Sequence, residues 1–149
     1  MQRKDFIKNC GLACISGTAF IALLQSCSSI NPIHFAKTDL ANNQLNIKKA
    51  EFILSGNKAK VTYRKYVLIK NDKVAFPIIL YRISDVDYTA LLMQCTHKGC
   101  ELVPQGNFLA CPCHGSEFNN KGIVQNPPAQ ENLKTFQIKT DNENIYILL

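Results

Sequence analysis

The chain contains no tryptophan and only two methionines and three histidines among its 149 residues. No segment repeats at the period of a solenoid, and the lysines are scattered without the basic runs that mark nucleic-acid surfaces. We therefore expect no nucleic-acid partner, although the formal charge of +6 suits acidic partners or anionic surfaces. The length allows one small domain with a modest core.

The first 27 residues have the composition of an export signal rather than of a folded domain. A basic start is followed by an uncharged run, residues 10–24, which is shorter than the roughly 20 residues of a spanning helix. The run ends in "LLQSC", which resembles a bacterial lipobox and implies that Cys27 carries lipid and begins the mature protein. "RKDFIK" (3–8) resembles a twin-arginine signal with Lys4 at the second arginine.

These signals predict a protein of the bacterial cell envelope, attached to a membrane and facing the periplasm or exterior. That compartment is oxidising, so disulfides are permitted there. An uncleaved membrane anchor in place of the lipoprotein signal remains an alternative.

The rest of the sequence divides into a polar tether, 28–49, and a β-rich domain, 50–149. Runs of β-branched and aromatic residues are separated by turn residues, as in "KVTYRKYVLIK", "VAFPIILYRIS" and "YTALLMQ", and no capped helix is evident. Two hairpins are expected, one around Gly106 and one around "DNEN" near the end of the chain. The predicted fold class is all-β with antiparallel sheets. His34 lies in the tether and is assigned no role.

Two short segments hold most of the chemistry: "CTHKGC" (95–100), the first cysteine loop, and "CPCHGS" (111–116), the second cysteine loop. Each offers one cysteine and one histidine as ligands and has one further cysteine. A Cys₂His₂ zinc site would leave two cysteines unexplained, and two disulfides would leave both histidines unexplained. A Rieske [2Fe–2S] centre uses two thiolates on one iron and two imidazoles on the other, and it accounts for all six residues.

Both loops match the pattern C-x-H-x-G-C and C-x-C-H-G-S, so the chain resembles the Rieske iron–sulfur proteins of cytochrome bc and b6f complexes. The resemblance implies stacked antiparallel sheets with a [2Fe–2S] cluster held by two loops at one tip. It also implies a Cys100–Cys113 disulfide, which Rieske oxygenases lack, so oxygenase chemistry is not favoured. The ligands carried over from the family are Cys95, His97, Cys111 and His114.

Three positions near the predicted ligands bear on the tuning of the cluster. Ser116 matches a serine that donates to a bridging sulfide in high-potential relatives, whereas Phe118 replaces a tyrosine that donates to a ligand cysteine. Lys98 stands where quinol-oxidising relatives usually have leucine, which favours an acidic protein partner over a quinol pocket. "NPPAQ" (126–130) resembles the family's proline loop, which covers the cluster.

Three functions agree with this pattern, each as a redox subunit or carrier rather than a complete enzyme. The first is one-electron transfer by an exported, membrane-anchored carrier whose partners are redox proteins such as a cytochrome. The second is the Rieske subunit of a quinol–cytochrome c reductase complex. The third is the small subunit of an exported oxidoreductase of the arsenite oxidase type, partnered by its large subunit. The short chain, the lipobox, Lys98 and Phe118 favour the first.

Overall fold

The computed structural model describes residues 33–57 and 60–149, which form one compact unit from Ile33 to Leu149. Apart from one 3-10 turn, Lys49–Phe52, the regular elements of these residues are strands. They are β1 Thr38–Ala41, β2 Gln44–Lys48, β3 Ile53–Asn57, β4 Lys60–Tyr63, β5 Tyr66–Ile69, β6 Ile78–Arg82, β7 Tyr88–Leu92, β8 Val103–Gln105, β9 Phe108–Ala110, β10 Glu117–Asn119, β11 Val124–Asn126, β12 Thr135–Phe136, β13 Ile138–Thr140 and β14 Asn144–Leu148.

The strands form four antiparallel sheets, which confirms the predicted all-β class. The central sheet has the order β12-β7-β6-β5, and the outer sheet has the order β1-β2-β14-β13. The loop-bearing sheet, which carries the second cysteine loop between two of its strands, has the order β11-β10-β9-β8. Strands β3 and β4 form a separate two-stranded hairpin.

The central sheet separates two hydrophobic cores because successive side chains of a strand point to opposite faces. On β6, Ile79 and Tyr81 enter the loop-side core, together with residues of β9 and β10. Ile78 and Leu80 enter the outer core, together with residues of β2 and β14. The loop-bearing sheet is therefore packed against a sheet that is buried on both faces, a rigid support for a site at its loops.

Residues 38–48, which the sequence analysis placed in the tether, form β1 and β2. Strand β2 pairs with β14 along its whole length, and Leu45 and Ile47 are fully buried in the outer core. The alternation of polar and apolar residues in "QLNIK" explains this burial, since every second side chain faces the core. The folded part of the chain thus begins well before residue 50.

The residues that precede β1 also pack on the domain. Phe35 forms a parallel bridge with Leu68 on the edge of the central sheet, and Ala36 N–H donates to the Leu68 carbonyl oxygen at 2.8 Å. His34, expected to be idle, is half-buried, and its Nε2 lies 2.6 Å from a Glu51 carboxylate oxygen. The edge of β5 is covered by this segment, which removes one exposed strand edge.

The expected hairpins are present, with some differences in strand length. Strands β8 and β9 flank Gly106, and β13 and β14 are joined by residues 141–143. The run "KVTYRKYVLIK" is divided into β4 and β5 at Arg64–Lys65, where the chain leaves the hairpin and enters the central sheet. Among residues 33–57 and 60–149, no helix is long and apolar enough to cross a membrane. Cys27 and the export signals lie outside the described residues.

Candidate metal centre

The two cysteine loops have the same backbone hydrogen-bond pattern. In the first, Cys95 N–H donates to the Cys100 carbonyl oxygen at 2.8 Å, and Gly99 N–H donates to the Cys95 carbonyl oxygen at 2.8 Å. In the second, Cys111 and Gly115 donate in the same way, at 2.8 and 3.0 Å, with residue 116 in the role of residue 100. Each loop is therefore a closed six-residue turn that begins with a cysteine.

A glycine occupies the fifth position of each loop because the turn needs a left-handed backbone there. Gly99 has φ +76° and Gly115 has φ +80°. An L-residue in that region brings its Cβ too close to the carbonyl oxygen, which costs about 1–2 kcal/mol. The glycines of the two motifs thus form these turns without that strain.

A disulfide joins the sixth position of the first loop to the third position of the second. It links Cys100 to Cys113, with 6.6 Å between the Cα atoms, which confirms the predicted pairing. The bridge fixes the separation of two loops that belong to different parts of the chain. Cys111 is free, and its sulfur lies within 4.8 Å of both disulfide sulfurs.

The predicted ligands are arranged by depth. Cys95 and Cys111 are free, buried thiols within the loop-side core. His97 is half-buried and His114 is exposed, and their ring centroids are 5.0 Å apart with the ring planes at 83°. The structure therefore places a cysteine pair at the base of the loops and a histidine pair toward the solvent.

The histidine pair fits a metal in one specific respect. The Nδ1 atom of His97 is buried and has no hydrogen-bond partner among the described residues. Leaving a buried polar atom unpaired costs free energy, and coordination by a metal would satisfy it. Two buried thiols and two adjacent imidazoles are also the donor set that a mixed-ligand iron–sulfur centre requires. The residues present thus fit such a group.

In the part of the chain that the structure describes, the sulfurs of Cys100, Cys111 and Cys113 lie within 4.8 Å of one another. Two of these sulfurs are committed to the disulfide, so this trio is not itself a ligand set. A mixed-ligand [2Fe–2S] centre would be held by the cysteine pair on one iron and the histidine pair on the other, so its four ligands need not lie within this distance of one another.

Ser116, the last residue of the second loop, is fully buried. Its Oγ accepts a hydrogen bond from Ala129 N–H at 3.0 Å, which ties the loop to the "NPPAQ" segment. A hydroxyl that accepts one bond retains its own O–H as a donor. The hydroxyl of Ser116 is thus available to an acceptor at the site, as the sequence comparison with high-potential relatives implies.

A second tie to the same segment was not predicted. The hydroxyl of Thr96 donates to the Glu131 carbonyl oxygen at 2.7 Å, so the first loop also holds the chain that follows "NPPAQ". The partner is a main-chain atom 35 residues away, and no side-chain pattern in the sequence marks it. Both cysteine loops are therefore joined to one segment, 129–131.

The remaining tuning positions differ in burial. Phe118 is fully buried in the loop-side core, the same core that holds both free cysteines. Lys98 is exposed, next to His97. The core also contains Tyr81, whose hydroxyl has no hydrogen-bond partner among the described residues, and burial followed by the influence of Tyr66 raises its pKa. It stays protonated and adds no charge beneath the site.

The family model of the Rieske [2Fe-2S] domain matches residues 52–137, more than half of the chain. The chain belongs to this family. Its cofactor is accordingly a [2Fe–2S] cluster, and its domain is an electron-transfer domain. The matched range contains the central sheet, the hairpin and the loop-bearing sheet with both cysteine loops.

Related sequences include iron–sulfur subunits of cytochrome b6-f complexes. The Prochlorococcus marinus subunit is 41% identical over 56 residues, which cover 36% of this chain and 31% of the relative. Subunit 1 from Synechocystis is 31% identical over 84 residues, covering 55% of this chain and 41% of the relative. The matched part of the chain thus spans about a third to two fifths of the length of these relatives.

Solved structures support the same fold. The cyanobacterial plasma membrane Rieske protein PetC3 from Synechocystis is 26% identical, with a TM-score of 0.51 over 57% of this chain and 87% of that chain. Naphthalene 1,2-dioxygenase gives a TM-score of 0.53 at 21% identity, over 77% of this chain but 26% of that chain. The second similarity concerns the fold alone.

Proposed function

We propose that this chain carries single electrons between proteins at the outer face of a bacterial membrane, using a [2Fe–2S] cluster bound by its two cysteine loops. The observation that carries the proposal is the meeting of two like-folded loops, joined by a disulfide, each with one free buried cysteine and one histidine. The proposed ligands are Cys95, His97, Cys111 and His114.

The cluster supplies one-electron chemistry, and the residues of the chain decide where the electron enters and leaves. Replacing two thiolates by two neutral imidazoles removes two negative charges from the centre, so an electron is accepted at less electrostatic cost. The buried cysteines leave one end of the site within the core, whereas His114 is exposed. The histidine end of the site is therefore the end nearest the solvent, and an electron has the least protein to cross there.

The charge beside that route supports a protein acceptor. Lys98 is exposed next to His97, and a fixed cation attracts an acidic surface and raises the rate of encounter. The same charge would be costly inside an apolar quinol pocket because it would lose its hydration. The proposed partner is thus an acidic redox protein such as a cytochrome or the large subunit of an oxidoreductase.

Export and membrane attachment are part of the proposal and rest on the sequence signals at residues 1–27. The disulfide agrees with them, since such bonds persist mainly in oxidising compartments. Lipid on Cys27 would leave five residues, 28–32, between the anchor and the first described residue.

A second candidate is supported by the relatives. They are iron–sulfur subunits of cytochrome b6-f complexes, so this chain could serve a quinol-oxidising complex as its Rieske subunit. In that role His97 or His114 would accept a proton from quinol at its free ring nitrogen while the electron passes to the cluster. Lys98 distinguishes the two candidates because its charge suits an acidic protein partner and not an apolar quinol pocket.

The test measures electron transfer from the cluster-containing, membrane-purified protein to a small acidic cytochrome. We expect the rate to fall with ionic strength, and Lys98→Leu to lower it, whereas Lys139→Leu on the outer sheet serves as a matched exposed control. A Lys98→Leu variant that gains quinol oxidation and keeps its cytochrome rate would support the second candidate instead. Proteins that co-purify with the chain are identified from the same preparation.

A further inference from the structure

The β3–β4 hairpin exposes an apolar surface that the electron-transfer site does not use. Ile53, Val61 and Tyr63 are 44%, 44% and 45% exposed. The register pairs Ile53 with Tyr63, and Val61 lies two residues before Tyr63, so the three side chains share one face of the hairpin. We call these three residues the hairpin face.

Cations stand beside the hairpin face. Ile53 and Tyr63 line a cavity of about 340 Å³ together with Lys48 and Lys49. The guanidinium of Arg82 lies 4.1 Å from the centroid of the Tyr63 ring. An apolar surface with an aromatic ring and neighbouring lysines is typical of proteins that lie at a membrane interface.

Nearby carboxylates offset only part of this charge. Glu51 is paired with His34, and Glu143 lines the same cavity as the two lysines. Asp85 is paired with Arg82. The cavity itself therefore joins two lysines to one carboxylate, an excess of positive charge that favours an anionic occupant.

The start of the described chain lies at the foot of the same hairpin. His34 contacts Glu51, which lies two residues before Ile53, and Ile33 is 56% exposed. Five residues, 28–32, separate Ile33 from Cys27, and a fully extended chain spans at most ~3.3–3.6 Å per residue. A lipid on Cys27 would thus hold the foot of the hairpin within about 20 Å of a membrane, by that same reach.

We propose that the hairpin face docks on an anionic lipid surface, with Ile53, Val61 and Tyr63 at the headgroup boundary and Lys48 and Lys49 near the phosphates. Attachment close to the membrane comes from the anchor in the proposed function, whereas the docking itself depends on the hairpin face and the two lysines beside it. The contact would fix the orientation of the domain relative to the membrane. The experiment below measures docking separately from attachment by the anchor.

Because the chain has no tryptophan, a single introduced tryptophan reports on its own surroundings without background fluorescence. Tyr63→Trp keeps an aromatic ring for Arg82 to stack on, and Phe108→Trp places the control reporter on β9 of the loop-bearing sheet. The cluster-containing protein is attached to vesicles of phosphatidylcholine alone or mixed with phosphatidylglycerol. We expect brominated lipids to quench the reporter at 63 in the anionic vesicles only, and the reporter at 108 in neither.

Charge variants sharpen the result. Removing a lysine near an anionic surface should weaken docking about fivefold, so Lys48→Ala should lower the docking equilibrium constant obtained from the quenching by that factor, and raised salt should act in the same direction. Lys121→Ala, in the exposed turn after β10, should change nothing. Equal quenching in both lipids, or quenching that is the same with Lys48→Ala, would overturn docking on anionic lipid. Burial of the reporter only when a co-purified protein is added would assign the face to that protein instead.

Two measurements on the same preparation test the proposed function independently of docking. Iron and sulfide content reports the cluster, and intact mass reports lipid on Cys27. If the lipid is absent, the protein is added to vesicles and sedimented, and retention by anionic vesicles that depends on Lys48 still supports docking. Failure to sediment with either vesicle type overturns it.

Discussion

The first and second cysteine loops share one backbone design and differ in what they attach to it. Both close through a cysteine N–H and a left-handed glycine. The first places its histidine third, where it is half-buried, and the second places its histidine fourth, where it is exposed. The position freed in the second loop is filled by Cys113, which reaches back to Cys100. Because the histidine of the second loop stands one position later than that of the first, the two loops together carry two histidines and the disulfide.

The loops also differ in how they hold segment 129–131. The first uses an exposed threonine hydroxyl as a donor, and the second uses a fully buried serine hydroxyl as an acceptor. A buried hydrogen bond costs more to break than an exposed one because water cannot replace the lost partner. We therefore expect the second loop to dominate the attachment, and unequal effects from equivalent changes in the two loops.

The largest effect is expected from removing His114, the exposed member of the proposed ligand set. His114→Ala should abolish cluster binding because the only other histidine of the two loops is already used and an alanine offers no donor. Iron and sulfide are measured on the purified protein. His34→Ala, which removes a histidine that contacts Glu51 instead, should leave the iron content unchanged. Full iron and sulfide in His114→Ala would contradict the proposed ligand set.

Next in size is the loss of the bridge between the loops. Cys100→Ser should lower the free energy of unfolding by about 2–4 kcal/mol, the usual contribution of a disulfide. The physical reason is that two loops remote in sequence would then be held only by their own turns and by the core beneath them. Denaturant titration under matched conditions measures the effect.

The double variant provides the control for that change. Cys100→Ser combined with Cys113→Ser should cost no more than either single change, because both remove the same bond. Additive losses would show that each cysteine contributes through separate contacts. The two loops would then have to be treated as independent and not as one unit joined by the disulfide.

Much of the site could be predicted from the sequence because its parts are local. Ligand-type residues, glycines and the paired cysteines lie within two six-residue segments, and the resemblance of these segments to the Rieske motif implies their roles. The serine and threonine ties could not be predicted, since their partners are main-chain atoms of Ala129 and Glu131. Long-range partners of this kind depend on how the sheets pack.

The fold shows the same division between local and distant information. The turn signals predict the hairpins at the observed places, whereas the polar composition of residues 28–49 predicts a tether where residues 38–48 form β1 and β2. Leu45 and Ile47 are the only large apolar residues of β2, and polar residues flank them, so burial of that strand depends on β14 almost 100 residues later. The break at Arg64–Lys65 carries no glycine or proline to mark it.

A smaller effect tests the unequal ties directly. Ser116→Ala should cost about 1–3 kcal/mol of unfolding free energy because it leaves a buried Ala129 N–H without its acceptor. Thr96→Val removes an exposed bond of the first loop and should cost less. Both are measured by denaturant titration of the oxidised protein. Equal losses would mean that burial does not distinguish the two ties.

Ser116→Ala should also lower the reduction potential. A donor to a sulfur stabilises the negative charge that arrives with the electron, so its loss makes reduction less favourable. Thr96→Val serves as the control because its hydroxyl is committed to the Glu131 carbonyl. A potential that is unchanged in Ser116→Ala would show that this hydroxyl does not point to the cluster.

The smallest change adds a hydroxyl rather than removing one. Phe118 is fully buried in the core that holds Cys95 and Cys111, so a tyrosine at this position would bring its O–H into the core that contains the two proposed ligand sulfurs. Such a hydrogen bond favours the reduced state, and we expect Phe118→Tyr to raise the potential by tens of millivolts, that is by roughly 1 kcal/mol or less at 59 mV per tenfold change. Voltammetry of the cluster-containing protein measures it, with Phe108→Tyr on the exposed side of β9 as the matched control. If the two variants have the same potential, the ring of Phe118 does not face a ligand sulfur. The loss of stability from an unpaired buried hydroxyl would then be the only effect of the change.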